Sequence, residues 1–280
     1  MMRIPAKDWK AVWELLASGI RERVLGSGFT DVVLGLSGGM DSALVAALAV
    51  DALGKEHVHG VMMPSPWSSE GSIADSEALA ANLGMETFTV PIAPMMDAFD
   101  KALAPAFAGK GRDVTEENIQ SRIRGVVLMS FSNKFGWLLL ATGNKSELAA
   151  GYCTMYGDMC GALAPIADLY KTEVYKLAAW YNEREGSEVI PRNIFEKAPS
   201  AELRPGQTDQ DSLPAYDVLD AILHALIEEA RPAAEITLPG IGADEVERVA
   251  GLVRKSAFKR LQAAPLLPVG QHAFGVHVHM

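Results

Sequence analysis

Trp9, Val12, Trp13, Leu16 and Ile20 recur at steps of three and four, which predicts a helix with one apolar face that ends near Gly26-Ser27-Gly28. Two patterns of another kind follow. Val32 to Leu36 and Val58 to Met63 are short apolar runs bounded by turn residues, the signature of parallel strands covered on both faces. Between them the Ala-, Leu- and Val-rich stretch Ser42–Leu53 stops at Gly54, so the order strand, helix, strand predicts a βαβ crossover. The alternation continues with a helix over Ile73–Leu83, a strand over Thr87–Val90, a long helix over Thr115–Phe135 with Thr115 as N-cap, and a buried strand over Trp137–Ala141. Past Leu169 the pattern is helical, over Thr172–Tyr181, Ala215–Glu229 and Asp244–Lys255. The pattern as a whole predicts an α/β fold, a doubly wound parallel sheet flanked by helices with a helical C-terminal part, and a ligand site beyond the carboxyl ends of the strands. Pro105–Val114 and Pro199–Pro214 mix Gly, Pro and charge without a period and read as loops of the kind that cover active sites.

Composition narrows the function classes. With 49% hydrophobic and 21% charged residues among 280, the chain has the makeup of a globular protein, and no run reaches the roughly 18 apolar residues a membrane helix needs. A net charge of −10 argues against a broad nucleic-acid-tracking surface but leaves room for local basic pockets. Cys153 and Cys160 are too few for a disulfide framework and not spaced for zinc, so they are expected to be reduced and partly buried in a cytoplasmic protein. The first residues meet a charge before any apolar run forms, unlike a signal peptide. His272, His277 and His279 crowd the end of the chain, and His57 and His59 are expected to share a strand face; neither set has the companions a metal site needs.

The strongest chemistry lies between the first strand and its helix, in Ser37-Gly38-Gly39-Met40-Asp41-Ser42. Two adjacent glycines allow close approach of the backbone to an anion, Ser37 and Ser42 add hydroxyl donors, and the helix that follows points its positive end at the same spot. The alternative is a tight turn with Ser42 or Asp41 as an ordinary cap. The loop lacks the Gly-Lys-Ser/Thr of P-loop kinases and the third glycine of a dinucleotide fingerprint. Asp41 would repel bound phosphate unless a divalent cation sat between them, which makes it a candidate magnesium ligand.

This hexapeptide resembles the Ser-Gly-Gly-x-Asp-Ser loop of the N-type ATP pyrophosphatases, and three further blocks resemble NAD synthetase in particular, so that the likeness runs from Val32 to Arg260. The resemblance implies an adenine nucleotide alpha hydrolase-like fold over a single domain, residues 1–280. It implies ATP cleaved between its α and β phosphates, with ATP contacts from Ser37, Gly38, Gly39, Met40, Asp41 and Ser42. In Glu117-Asn118-Ile119-Gln120-Ser121-Arg122-Ile123-Arg124, Arg122 inherits a contact to deamido-NAD; a solvated helix arginine is the alternative, and since Arg122 and Arg124 are two apart they cannot share a face. In Ala141-Thr142-Gly143-Asn144-Lys145-Ser146-Glu147, Thr142 inherits an ATP contact and Glu147 the second carboxylate on magnesium beside Asp41. In the block from Gly151 through Tyr156-Gly157-Asp158 to Lys171-Thr172, Asp158 inherits a place near the ammonia and Lys171 the neutralisation of ATP phosphates. Ser200, in Pro199-Ser200-Ala201-Glu202-Leu203, inherits a phosphate contact, and Lys259 of Lys259-Arg260 one to deamido-NAD.

The chain departs from the ammonia-dependent branch at Met155, where a lysine is common, and at Ala162, where an acidic residue is. Its Tyr-Gly-Asp-Met-x-Gly wording and the segment Met63 to Ser69 look instead like the synthetase half of glutamine-dependent enzymes. The residues before the first strand supply little more than one helix, so the immediate nitrogen donor is expected to be ammonia, free or delivered by a separate glutaminase partner. The resulting expectation is amidation of deamido-NAD to NAD through an adenylate, with Asp41, Glu147, Asp158 and Lys171 as the catalytic set, magnesium as cofactor, and a homodimer as the family's form. The alternatives are a GMP synthetase-like adenylating enzyme and a nucleotide-binding regulator without turnover.

Overall fold

The computed structural model describes residues 7–274. His277 and His279 lie outside the described residues. Four parallel strands, β1 (Val32–Leu36), β2 (Val58–Met62), β3 (Glu86–Thr89) and β4 (Leu138–Leu139), form a sheet in the order β3-β2-β1-β4. Alternate strand residues feed opposite faces, as all-apolar strands require. Val32, Leu34, Leu36, Val58 and Leu138 pack with α1 (Trp9–Gly26), α2 (Met40–Leu53) and α7 (Lys171–Glu185) in the main core. Val33, Val61 and Leu139 pack on the other face with α4 (Ala93–Leu103) and α5 (Val114–Phe135). A separate core joins α6 (Lys145–Ala150), α9 (Tyr216–Ile227) and α10 (Ala243–Lys255).

The sheet places the reversal of strand order between β1 and β4. Chain leaving β1 goes one way to β2 and β3, and the crossover returning to β4 lies on the other side, so a crevice opens at the carboxyl ends of β1 and β4. The phosphate-loop hexapeptide follows β1 and the segment Leu140–Asn144 follows β4, so the fold brings the two predicted blocks to one place. Helices α3 (Glu70–Leu83), α8 (Arg192–Glu196) and α11 (Ala257–Arg260) complete the described elements.

Several boundaries differ from the sequence reading by a few residues, and two of them have a physical reason. Thr115 is not the cap of α5: Asp113 is, its carboxylate accepting from the Thr115 N–H at 2.7 Å while Glu116 reaches back to the Asp113 N–H at 2.8 Å. An ionised carboxylate at the positive helix end is a stronger acceptor there than a hydroxyl. The predicted strand Trp137–Ala141 pairs only over Leu138–Leu139, with Leu140 bridging separately to Leu163. His57 ends the turn before β2 rather than sharing its face with His59, but both rings reach Asp31, at 3.3 and 3.2 Å. Cys153 and Cys160 are free and half-buried.

Candidate active site

The loop after β1 is held by its own serines and by a glycine that nothing else replaces. Ser42 Oγ accepts from the Ser37 N–H at 3.3 Å, donates to the Gly39 carbonyl at 3.1 Å and lies 3.1 Å from Ser37 Oγ. Gly38 has φ +71°, and a Cβ there would fall 2.2 Å from the Ser72 carbonyl oxygen of α3. Gly39 caps α2 without a side-chain acceptor, so the first N–H groups of this 14-residue helix are left for a ligand. Met40 buries its side chain in the core and offers only its backbone. The loop lines one wall of a cavity of about 420 Å³, whose other walls include Thr142, Glu147, Asp158, Lys171, Ser200 and Lys259.

Asp41 of the loop and Glu147 from the facing wall converge on one ammonium. Asn144 caps α6 and accepts from the Glu147 N–H at 3.0 Å, Glu147 returns a bond to the Asn144 N–H at 3.2 Å, and Asn144 Nδ2 donates to Asp41 at 2.9 Å. Lys171, the first residue of the 15-residue helix α7, sends Nζ to Asp41 and, at 3.5 Å, to Glu147. Its side chain is 5% exposed. Burial pulls the Lys171 pKa down, but the two carboxylates more than reverse this and hold it well above its ordinary value. Burial, reinforced by the charge of Asp41, pushes Glu147 up to about 8 against the opposing pull of Lys171. The positive end of α2 therefore faces a pocket in which two carboxylates, Asp41 and Glu147, share the one ammonium of Lys171, an arrangement that accommodates phosphate when a further cation is present.

These residues fit a magnesium ion. Two hard carboxylate oxygens converge, one of them is steered by an amide, and a carboxyl group with a raised pKa is stabilised as an anion by a second cation. No three His, Cys, Asp or Glu side chains among the described residues form a cage. An ion held by Asp41 and Glu147 would thus complete its shell with phosphate oxygens and water, as magnesium commonly does.

Asp158 is exposed to solvent through the cavity, with protein packed around the rest of it. Burial raises its pKa, although its carboxylate accepts from the Thr154 N–H at 2.6 Å and from Ser121 Oγ at 3.2 Å. The close passage of its loop over α5 depends on Gly125, where a Cβ would lie 2.7 Å from the Tyr156 carbonyl oxygen. Lys259 donates to the Gly151 and Cys153 carbonyls, each at 2.7 Å, and so faces the cavity as a tethered cation. Ser200 donates to the Gln207 carbonyl at 2.6 Å within the 199–214 loop, which folds over the cavity through residues 199–203, Gln207 and Asp209.

The structure divides the two arginines of α5. Arg124 lines the cavity, donates to the Met63 carbonyl at 3.2 Å and is lowered to about 10 by burial, with Glu202 opposing. Arg122 is exposed, outside the cavity wall, and donates to the Met155 carbonyl at 3.3 Å. Sequence reasoning also missed Lys197, whose Nζ pairs with Glu202 at 3.1 Å and bonds Ser72 Oγ at the cavity rim. A basic residue two positions before the Pro199-Ser200 loop was the available signal. Asp209 was missed as well: it is 3% exposed, lines the cavity and accepts from the Tyr216 hydroxyl at 2.7 Å, and the Tyr216 ring lies 5.4 Å from Lys171 Nζ.

Comparison with known proteins finds a match to the NAD synthase family model over residues 12–263. A glutamine-dependent NAD(+) synthetase of Thermotoga maritima is 52% identical over 97% of this chain and 47% of its own length. The chain spans about half the length of the curated relatives it matches. Among solved structures, the NH3-dependent NAD synthetase of Campylobacter jejuni aligns with TM-score 0.73 and 33% identity over 91% of this chain and 96% of that one. An NMN synthetase of Francisella tularensis aligns with TM-score 0.77 and 28% identity over 91% and 97%.

Proposed function

The chain belongs to the NAD synthase family, and from that premise we propose that it converts deamido-NAD to NAD at the expense of ATP, with ammonia as the immediate nitrogen donor and AMP and pyrophosphate as products. The observation that carries this reading is the convergence of Glu147 and Lys171 on Asp41 of a loop whose helix N–H groups are free for phosphate. The proposal treats residues 1–280 as one synthetase unit.

In the first step a carboxylate oxygen of deamido-NAD attacks the α phosphorus, the bond to the bridging oxygen of the β phosphate breaks, and pyrophosphate leaves. The residues of the loop, Ser37 to Ser42, hold the β and γ phosphates through N–H and hydroxyl donors. Lys171 lies between the two carboxylates, which makes it the group to balance charge gathering on the leaving oxygens. Asp41 and Glu147 would hold magnesium, which supplies further charge neutralisation on the phosphates. Ser200 and Thr142 line the ATP side, while Lys259 and Arg122 are assigned to deamido-NAD. Arg122 meets substrate only if a second copy covers the exposed face of α5, which also presents Val126 at 65% exposure, so the proposed form is a homodimer.

In the second step ammonia attacks the acyl carbon, AMP leaves, and the nitrogen gives up a proton. Asp158 faces the cavity with a pKa raised by burial, which suits it to hold an incoming ammonium and accept its proton. The Thermotoga maritima relative is named glutamine-dependent and the Campylobacter jejuni structure NH3-dependent, so the source of the ammonia is decided by assay. Incubation with ATP, deamido-NAD, ammonium and magnesium is expected to yield NAD and AMP in equal amounts. ADP as product sinks the reading. Preference for nicotinic acid mononucleotide over deamido-NAD assigns a smaller substrate, and nucleotide binding without turnover leaves a regulator.

A further inference from the structure

Lys171 owes its position to backbone bonds made outside its own helix. Tyr170, the N-cap residue of α7, offers no side-chain acceptor to the helix, and its hydroxyl donates to Glu228 at 3.2 Å. The two leading N–H groups of the helix are satisfied from elsewhere. Lys171 N donates to Ser146 Oγ on α6 at 2.9 Å, and Thr172 N donates to Asp220 on α9 at 2.8 Å. Ser146 Oγ in turn donates to the other oxygen of Asp220 at 2.5 Å. Ser146 and Asp220 are fully buried, and neither lines the cavity.

The direction of this chain is fixed. Ser146 has one proton, given to Asp220, and its lone pair receives the Lys171 N–H, so position 220 must offer an acceptor on each side. Only a carboxylate does that. Burying it costs stability that an apolar residue there would not, and what the cost yields is geometry: one side chain holds both the segment ending in Glu147 and the residue that begins α7. We propose that Asp220 is a positioning residue for Lys171 and Glu147, acting through Ser146 and the α7 terminus without touching substrate. The inference rests on the functional reading above.

Asp220→Asn tests it, because an amide replaces one acceptor by a donor facing Ser146 or Thr172. A displacement of about 1 Å at the reacting groups lowers rates about 100-fold, so kcat is expected to fall roughly 10- to 100-fold. KM for deamido-NAD is expected to stay within about threefold, with the thermal midpoint at pH 7.5 unchanged or raised. Ser146→Ala is expected to reproduce the kcat loss, and the double variant to be no slower than the slower single, since both break one chain. Calorimetry with inorganic pyrophosphate gives a readout independent of turnover, and D220N is expected to weaken binding about fivefold or more. A D220N kcat within about twofold of wild type, additive losses in the double variant, or equal pyrophosphate affinity would overturn the proposal. If the wild type makes no NAD, the functional reading falls by itself and the pyrophosphate isotherms still decide on Asp220; no binding by either protein counts against it.

Discussion

Lys171 is the residue on which the charge balance of the site turns. Replaced by methionine, it would leave Asp41 and Glu147 facing each other in a half-buried pocket, and removing one partner of a buried ion pair costs about 3–5 kcal/mol. Lys171→Met is therefore expected to lower the unfolding free energy by an amount of that order in chelator, to regain part of it in magnesium, and to abolish turnover. Urea titrations with and without the metal check this, and identical curves for the variant in both conditions count against a cation between the two carboxylates. Gly38 poses the simplest steric test: Gly38→Ala forces a Cβ to 2.2 Å from the Ser72 carbonyl at a positive φ, so nucleotide binding is expected to be lost while the rest of the fold survives. At this scale the sequence was informative where chemistry is local, as in the hexapeptide, and ambiguous where it depends on which way a helix turns. Arg122 and Arg124 had to face apart, but only the packing of α5 on β1 decides that Arg124 enters the cavity.

The elements were legible in proportion to how strongly burial constrains them. β1 and β2 are enclosed on both faces and stood out as apolar runs. Helix α4 did not, because its single buried residue is Met96 and the core imposes no apolar face on it. Asp220 left no sequence signal, since what it does depends on helices that approach one another only in the folded chain. Asp220 also gives α9 a pH signature. Burial pushes it up to about 6 against the opposing bonds from Ser146 and Thr172. Between its unfolded value of 3.8 and about 6, the folded chain keeps a proton that the unfolded chain releases. Stability from this group is therefore present at low pH and is lost as pH rises through that window. Relative to wild type, D220N is expected to gain stability from pH 4 to 6, by on the order of 3 kcal/mol at most, and to run parallel above. Denaturant midpoints at four pH values suffice, and a constant difference between the two proteins would count against an ionised carboxylate at this position.

For the whole molecule, a net charge of −10 coexists with a proposed site for several anions. The open terminus of α2 and a few enclosed cations, Lys171, Lys197, Arg124 and Lys259, supply the local field that the surface lacks. No described helix is long and apolar enough to cross a membrane. If a second copy covers α5, Val126→Glu is expected to shift the species seen in sedimentation from dimer to monomer and to raise KM for deamido-NAD. A dimer that survives this change places the interface elsewhere. Rates measured with ammonium and with glutamine as sole nitrogen source are expected to differ by at least tenfold in favour of ammonium for this chain.

The borrowed cap of α7 ties the reaction centre to the least local part of the fold. The amide protons of Lys171 and Thr172 are bonded to α6 and α9 instead of to their own helix, so they become free to exchange with solvent only when those helices separate. In deuterium labelling, these two amides should exchange at the rate of the α9 segment rather than with the fraying end of α7. Lys171 would then be lost from its place in the same opening event that releases the C-terminal helices, before the sheet itself gives way.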